Sequence, residues 1–254
     1  MHYAGVACDM DPILELAKKH QFYVIEDAAQ AIDSWYKGKI LGSLGDFGTL
    51  SFHETKNIIS GEGGLLCINQ AQFFKRAEII REKGTNRSAF FRGEVNKYGW
   101  VDIGSSYLPS ELIAAYLYGQ LEGLDEIQAK RKEVWQFYAE ELSDLAGQGY
   151  FDLPLIPQYA KQNHHIFYLI CRSLKERQGL IKHLKNHEVN AVFHYLPLHN
   201  SPYFQSKHDG RALPHAVRYA DCLIRLPIYY LLSLDEAQHV VDTIRAYYKG
   251  ASFA

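Results

Sequence analysis

Apolar runs bounded by turn residues predict strands in the first half of the chain, at 22–26, 45–52 and 64–68. The second run gives the weaker prediction because glycines interrupt it. Helices are predicted on either side of this group, at 12–20 and 72–83. Asp11 and Pro12 supply an N-cap and a first helical residue for the earlier helix. Strands and helices that follow one another in this way indicate an α/β fold.

Residues 84–106 show no period and are rich in Gly, Asn, Arg and aromatic residues, which predicts a long loop. A helix is predicted from Glu111 to about Leu145, with a weak point at Gly119–Gly123. Its second half, 128–142, is charged on one face. We interpret that half as the bridge between two domains.

Beyond Pro154 and Pro157 the pattern changes. Strands are predicted at 165–171, 190–194 and 224–227, and helices at 178–187, 216–222 and 235–248. Because the two kinds of element alternate, the last part of the chain is predicted to form a smaller α/β domain.

Composition narrows the class of protein. The 254 residues suffice for one large and one smaller domain, and 47% hydrophobic and 22% charged residues are ordinary for a soluble globular protein. The net charge of −2 carries no basic footprint, so no nucleic-acid partner is expected. We find neither an apolar run of 18 residues nor a signal-peptide pattern at the start, so no membrane partner is expected.

Cysteines and histidines do not indicate a metal site. The four cysteines are far apart and form no CxxC pair, which fits a reducing, cytoplasmic location. His183 and His187 are four residues apart on a predicted helix, but no carboxylate or cysteine completes a ligand set. We therefore predict no metal.

Lys56 has the most informative surroundings of any residue in the chain. It follows a predicted strand and precedes Gly61–Gly64, whose glycines permit tight turns close to a ligand. A lysine by itself is most often a solvated surface residue. In this company it is a candidate Schiff-base lysine for pyridoxal 5′-phosphate (PLP). The glycines are too loosely spaced for a Walker or dinucleotide fingerprint.

Asp27 ends the strand predicted at 22–26, at the edge where α/β sheets place ligands. A carboxylate there could keep the pyridine nitrogen of PLP protonated, which makes the ring an electron sink. The alternative is a strand-end Asp that caps the next turn. Glu26 is the weaker candidate because a regular strand would turn it to the opposite face.

Other candidates are weaker when taken alone. Gln30 could bond the phenolic oxygen of the same ligand, and Ser51 could bond a phosphate, although both residue types are commonly ordinary polar positions. In the second domain, His194, Tyr195 and His199 lie on a segment that ends a predicted strand. That segment is either an aromatic strand end with a Pro turn or a substrate-facing edge.

Four segments together resemble the DegT/DnrJ/EryC1/StrS family of PLP-dependent sugar aminotransferases of fold type I. They are EDAAQA at 26–31, SFHETKN at 51–57, GEGG at 61–64 and HYLPLH at 194–199. The resemblance implies part of a large PLP-binding domain at 1–127, with a mainly parallel sheet. It implies a smaller C-terminal α/β domain at 128–254.

The resemblance also implies a role for each matched residue. Lys56 would hold PLP covalently and move a proton, while Asp27, Gln30 and Ser51 would bind the pyridine nitrogen, the ring hydroxyl and the phosphate. L-Glutamate would donate the amine. A homodimer is expected because the active site of the family lies at the subunit interface.

Segment 100–111 (WVDIGSSYLPSE) narrows the expected substrate. It is similar to family members that convert dTDP-4-oxo-6-deoxy-D-glucose to dTDP-4-amino-4,6-dideoxy-D-galactose. Such members serve the biosynthesis of enterobacterial common antigen and related lipopolysaccharides.

The chain departs from the family in two respects. Many members carry Asn-Tyr-Arg where this chain has Ser106-Tyr107-Leu108, and that Asn reaches the phosphate in the neighbouring subunit. Ser106 is expected to do so with a shorter arm. Family chains are also considerably longer at the N-terminus, so we interpret the sequence as N-terminally truncated, with exposed apolar sheet surface and low solubility.

Three alternatives stay open. The chain could be a catalytically inactive remnant that at most binds a partner subunit. It could be a dehydrating relative, although those are expected to carry His in place of Lys56. It could be a generic nucleotide-binding module, against which the missing phosphate-loop fingerprint argues.

Overall fold

The computed structural model of the chain describes residues 1–250. Contacts divide it into two units. The first unit consists of residues 1–126 with 157–163, and the second of 127–156 with the chain from 164 onward.

The strands are short. They are β1 Ile25–Asp27, β2 Trp35–Tyr36, β3 Lys39–Ile40, β4 Phe47–Ser51, β5 Gly64–Ile68, β6 Phe151–Asp152, β7 Ala160–Lys161, β8 Phe167–Cys171, β9 Val192–Phe193 and β10 Leu223–Leu226.

The α-helices account for most of the regular structure. They are α1 Met10–His20, α2 Phe74–Arg81, α3 Arg87–Phe91, α4 Glu111–Glu122, α5 Leu124–Glu141, α6 Ser143–Gly147, α7 Leu174–Asn186, α8 Pro214–Cys222 and α9 Leu234–Gly250. No helix within residues 1–250 is long and apolar enough to cross a membrane.

The main sheet of the first unit has the order β1-β4-β5. β1 runs parallel to β4, with Asp27 opposite Thr49, whereas β4 and β5 are antiparallel, with Ser51 opposite Gly64. The α/β class is confirmed, but the expectation of a mainly parallel sheet is corrected to a mixed one. A parallel return needs a crossover of a dozen or more residues, usually a helix, and no helix lies between β4 and β5.

Glu26 organises the start of this sheet. It is 2% exposed, and its carboxylate accepts backbone N–H bonds from Gly42 (2.9 Å), Leu44 (2.7 Å) and Gly45 (2.7 Å). His2 Nε2 lies 2.9 Å from the same carboxylate. Burial raises the pKa of Glu26, but these hydrogen bonds outweigh it and hold the pKa below its ordinary value. The buried carboxylate therefore fixes the 42–45 loop against β1.

The main core cluster of the first unit is small. Its buried members are Ala7, Met10, Ala28, Ala31, Tyr36 and Leu41. By contrast α4, a mostly apolar helix, buries none of its residues, and Leu112 is 84% exposed. Leu65 and Leu66 of β5 and Ile25 of β1 are exposed as well. Much of the apolar surface of this unit is uncovered.

The second unit is built around an antiparallel sheet of order β6-β8-β10-β9. The buried residues of α5 include Arg131, Val134 and Tyr138, whose spacing of three and four places them on one helix face. α7 and α9 pack together beside the sheet. The central part of the core is formed by the fully buried side chains of Phe151, Phe167, Leu169, Leu180, Leu184, Ile224, Val241 and Ile244.

Several predicted boundaries need correction. The helix predicted at 178–187 starts at Leu174, because Ser173 Oγ accepts from Glu176 N (3.2 Å) while Glu176 Oε2 accepts from Arg172 N (2.7 Å). The single helix predicted from 111 to 145 is divided into α4, α5 and α6, with the first break at Gly123, inside the predicted weak point. The loop at 84–106 contains the short helix α3.

Candidate active site

The carboxyl ends of β1 and β4 bring the predicted cofactor residues together. The two strands are parallel neighbours, so their carboxyl ends lie at the same edge of the sheet. Asp27 pairs with Thr49, and Ser51 lies two residues beyond Thr49 toward that edge. Gln30 lies in the turn after β1, and Lys56 lies in the loop after β4. Four residues separated by up to 29 positions in sequence therefore belong to one edge of one sheet.

Asp27 caps the turn that follows β1. Its Oδ1 accepts from Ala29 N at 3.1 Å and its backbone oxygen accepts from His2 N at 2.8 Å. Within residues 1–250 its Oδ2 has no hydrogen-bond partner. The turn-capping alternative is therefore compatible with a second, ligand-binding use of the same carboxylate.

Only the amide oxygen of the Gln30 side chain is hydrogen-bonded within residues 1–250. Its Oε1 accepts from Ala4 N at 2.7 Å, while its Nε2 has no partner in the described part of the chain. This arrangement fixes the side chain and leaves an N–H donor available. A donor is what a phenolic oxygen at this sheet edge requires.

Ser51 closes β4. Its Oγ accepts from His53 N at 3.3 Å, so its hydroxyl proton is free to donate. His53 Nδ1 is engaged with Thr55 Oγ1 at 3.0 Å. The hydroxyl of Ser51 therefore retains bonding capacity, whereas the ring of His53 is already tied to its own loop.

The Lys56 loop is anchored at its base. Phe52 N donates to Gly63 O (2.9 Å) and Ser60 N donates to Phe52 O (2.7 Å), which closes the loop into a compact turn. Gly61 and Gly63 have φ of +81° and +151°, which explains the glycines there. Ile58, immediately beyond the lysine region, is fully buried.

The Lys56 side chain is half-buried, and within residues 1–250 its Nζ has neither a hydrogen bond nor an ion-pair partner. Nothing in the described chain holds the amine. It is available to react with a ligand at the sheet edge.

Two buried asparagines connect the Lys56 loop to the Gln30 turn, and sequence reasoning missed one of them entirely. Asn57 Nδ2 donates to Asn163 O at 2.8 Å. Asn163 Nδ2 in turn donates to Gln30 O at 2.9 Å and Ile32 O at 2.8 Å. The partners are more than a hundred residues apart, so no local pattern could have indicated the link.

Ser106 is exposed and is the last residue of the 84–106 loop. It forms an isolated antiparallel bridge with Glu82. No contact in the described chain joins it to Asp27, Ser51 or Lys56. Its predicted role toward a neighbouring subunit stays a prediction.

His194, Tyr195 and His199 belong to the second unit. Burial, with the Arg225 charge as the smaller cause, lowers the pKa of His194 to about 4, so the imidazole is neutral at neutral pH. The rings of His194 and Tyr195 are 4.8 Å apart. His199 instead lines a cavity of about 760 Å³, so the three residues do not converge on one pocket.

Comparison with known proteins gives one family. A profile of the DegT/DnrJ/EryC1/StrS aminotransferase family matches residues 1–245. GDP-perosamine synthase of Escherichia coli O157:H7 is 28% identical over 98% of the chain and 64% of that protein. UDP-4-amino-4,6-dideoxy-N-acetyl-beta-L-altrosamine transaminase of Campylobacter jejuni is 26% identical over 95% of the chain and 63% of that protein.

A solved structure agrees with this result. S. venezuelae DesV in complex with a ketimine intermediate superposes with a TM-score of 0.85 at 29% identity, covering 99% of the chain and 64% of DesV. The chain spans about two thirds of the length of the curated relatives that it matches.

Proposed function

The chain belongs to the DegT/DnrJ/EryC1/StrS aminotransferase family, and we propose that it carries the lysine-bearing part of a PLP site for amination of a sugar nucleotide. The family is PLP-dependent. The observation that carries the proposal is a set of four polar groups with bonding capacity to spare at one sheet edge: an amine, a carboxylate oxygen, an amide N–H and a hydroxyl proton.

The chemistry of these groups fits the cofactor. Bound PLP supplies an electron sink that stabilises negative charge at the carbon bearing the amine. A cationic pyridine nitrogen requires an anion, which Asp27 offers through its free Oδ2. The Gln30 amide N–H matches a phenolic oxygen, and the Ser51 hydroxyl matches a phosphate oxygen.

Lys56 is proposed to bind the cofactor covalently through Nζ and then to carry a proton at that atom. A lysine amine is both nucleophile and base once it is unprotonated. Backbone hydrogen bonds close the Lys56 loop, and Ile58 in it is buried. The backbone that carries the amine is therefore fixed in position. Asp27 and Gln30 would orient the ring, and neither would transfer a proton to the substrate.

A narrower proposal concerns the substrates. We infer L-glutamate as amino donor and dTDP-4-oxo-6-deoxy-D-glucose as acceptor, with dTDP-4-amino-4,6-dideoxy-D-galactose as product for surface glycans such as enterobacterial common antigen. Segment 100–111 supports the dTDP sugar, while the names of relatives refer to GDP- and UDP-linked amino sugars. His194, Tyr195 and His199 are the proposed substrate-side residues, and residues 128–254 the proposed small domain.

The second candidate function is an inactive subunit that at most binds a partner. The exposed apolar surface of α4 favours an association of this kind. A homodimer with Ser106 directed to the neighbouring cofactor belongs to the main proposal.

Borohydride trapping tests the main proposal. The full chain is mixed with PLP, reduced, digested and mapped by mass. We expect label confined to Lys56, lost in Lys56→Arg and strongly reduced in Asp27→Ala. Label spread over exposed lysines would favour the inactive-subunit function. Amino transfer from L-glutamate to dTDP-, GDP- and UDP-linked 4-keto sugars then tests the substrate.

A further inference from the structure

Asn163 joins two loops that carry proposed cofactor-binding residues. Its Nδ2 donates to the backbone oxygens of Gln30 and Ile32, in the turn after β1. Its own backbone oxygen accepts from Asn57 Nδ2. Since Asn57 directly follows Lys56, one residue ties the Lys56 loop to the Gln30 turn.

The chemistry of the link requires an amide. Two carbonyl oxygens need two donors, which the NH₂ group of Asn163 provides and which a carboxylate of the same shape cannot provide. Asn163 is 1% exposed and Asn57 is 6% exposed, so water does not replace these bonds readily.

Asn163 also carries an unfavourable feature. Among the described residues its Oδ1 is buried and has no partner. An unsatisfied buried acceptor lowers stability, and such a group calls for an explanation. Stability alone does not explain an asparagine here, whereas the need to donate twice toward the Gln30 turn does.

The segment that presents Asn163 is fixed independently of the site. β7 pairs with β2, and Lys37 N donates to Tyr159 O at 2.8 Å. A Cβ on Gly5 would lie 1.8 Å from Asn163 Oδ1, so the backbone at Gly5 passes directly against the amide. The pairing of β7 therefore fixes the segment before Asn163, and the close approach of Gly5 leaves little space around its amide.

We propose that Asn163 is a positioning residue that sets the Lys56 loop relative to the Gln30 turn, acting through Asn57. The inference rests on the proposed function, because Lys56 and Gln30 matter in this way only if they hold the cofactor. Asn163 itself does not touch the reacting groups.

The chain offers a control with the same bonding pattern at an exposed position. Asn69 Nδ2 also donates to two backbone oxygens, those of Gly42 (3.1 Å) and Gly45 (2.8 Å), in the same unit. Asn163→Asp and Asn69→Asp therefore remove the same kind of double donor. Only Asn163→Asp separates residue 163 from the Gln30 turn, while the bond from Asn57 Nδ2 to the backbone oxygen of residue 163 is retained. Asn163→Ser keeps one donor and is expected to give an intermediate effect.

The first measurement needs no cofactor. Amide hydrogen exchange of the full chain is followed by mass spectrometry in peptides covering 52–63. We expect exchange there to be about tenfold faster in Asn163→Asp, because the Lys56 loop stays bonded to residue 163 but residue 163 loses the two hydrogen bonds that fix it to the Gln30 turn, and unchanged in Asn69→Asp. Unchanged exchange in Asn163→Asp, or equal acceleration in Asn69→Asp, would overturn the proposal.

The second measurement is the rate of borohydride-trapped PLP capture at Lys56. We expect about a tenfold slower rate in Asn163→Asp and a wild-type rate in Asn69→Asp. Capture at the wild-type rate in Asn163→Asp contradicts the positioning role. If the wild-type chain takes no label at Lys56, the proposed function fails, and hydrogen exchange still decides whether Asn163 holds the loop. If Asn163→Asp does not fold, Asn163→Ser serves in both measurements.

Discussion

The two units differ in the size of their apolar cores. In the second unit, twenty buried residues form one cluster between helices and an antiparallel sheet. The first unit is of similar length, but its main cluster has only six buried residues, and the buried polar side chains of Glu26 and Asn163 add hydrogen bonds to backbone groups. Hydrogen bonds from buried side chains occur in both units, for example from Tyr138 Oη to Pro227 O in the second, but only the second unit adds a large apolar core to them.

The difference has a physical consequence. Hydrophobic burial tolerates small displacements, whereas a hydrogen bond fixes the distance and direction between two atoms. A sheet edge that must hold an amine, an amide and a hydroxyl at fixed positions benefits from hydrogen bonds. The apolar side chains of α4 and β5 remain exposed, so the first unit buries less apolar surface.

The largest effect is expected in the core of the second unit. Phe167 is fully buried and contacts the rings of Trp135 and Tyr138 at 5.2 and 5.3 Å. Phe167→Ala should lower the free energy of unfolding by about 3–5 kcal/mol, as read by urea denaturation. The control is Phe74→Ala in the first unit, where the side chain is 52% exposed. Equal losses in the two variants would remove the contrast between the units.

The next effect concerns Glu26. Glu26→Gln leaves one oxygen for four donors, so we expect the first unit to lose about 1–3 kcal/mol. The folded-state pKa of Glu26 is below its ordinary value of 4.5. Its contribution is therefore complete above that pH and is lost as the pH falls through the folded-state pKa.

Acid unfolding of the wild type and Glu26→Gln, followed by hydrogen exchange in peptides of the first unit, measures this contribution. The difference between the two should shrink as the pH falls below 4.5. A constant difference over that range would show that the carboxylate charge does not contribute.

A smaller effect is expected at His194. Because its folded-state pKa is about 4, against an ordinary value of 6.5, the folded state binds the proton less readily. The resulting stability is present above pH 6.5 and is lost as the pH falls toward 4. NMR titration of the ring should give a midpoint near 4, and His194→Gln should flatten the pH dependence of the second unit. A midpoint near 6.5 would contradict the burial described for this ring.

The smallest effect on folding is expected at Leu112. Because the side chain is 84% exposed, Leu112→Ser should change the free energy of unfolding by no more than about 0.5 kcal/mol while reducing self-association in sedimentation velocity. Leu180→Ser, at a fully buried position of α7, is the control with a large loss of stability. A large loss in Leu112→Ser would show that α4 is packed.

Much of the local structure was predictable. β5 has the predicted bounds, and the closing helix differs by two residues or fewer at each end, because both are regular apolar patterns. The start of α7 was missed although Ser173 and Glu176 form a recognisable capping pair. β1 was displaced toward Asp27 because Phe22 and Tyr23, which made the run apolar, are exposed.

The sequence by itself determined the α/β class, the candidates Asp27, Gln30, Ser51 and Lys56, and the family whose motifs contain them. These signals are local, since motifs and periodicities are carried by neighbours along the chain. Only the tertiary structure decided the direction of β5, the anchoring of the 42–45 loop by Glu26, and the bridge from Asn163 to the Lys56 loop. Each of these depends on hydrogen bonds between residues distant in sequence, and such bonds leave no period to detect.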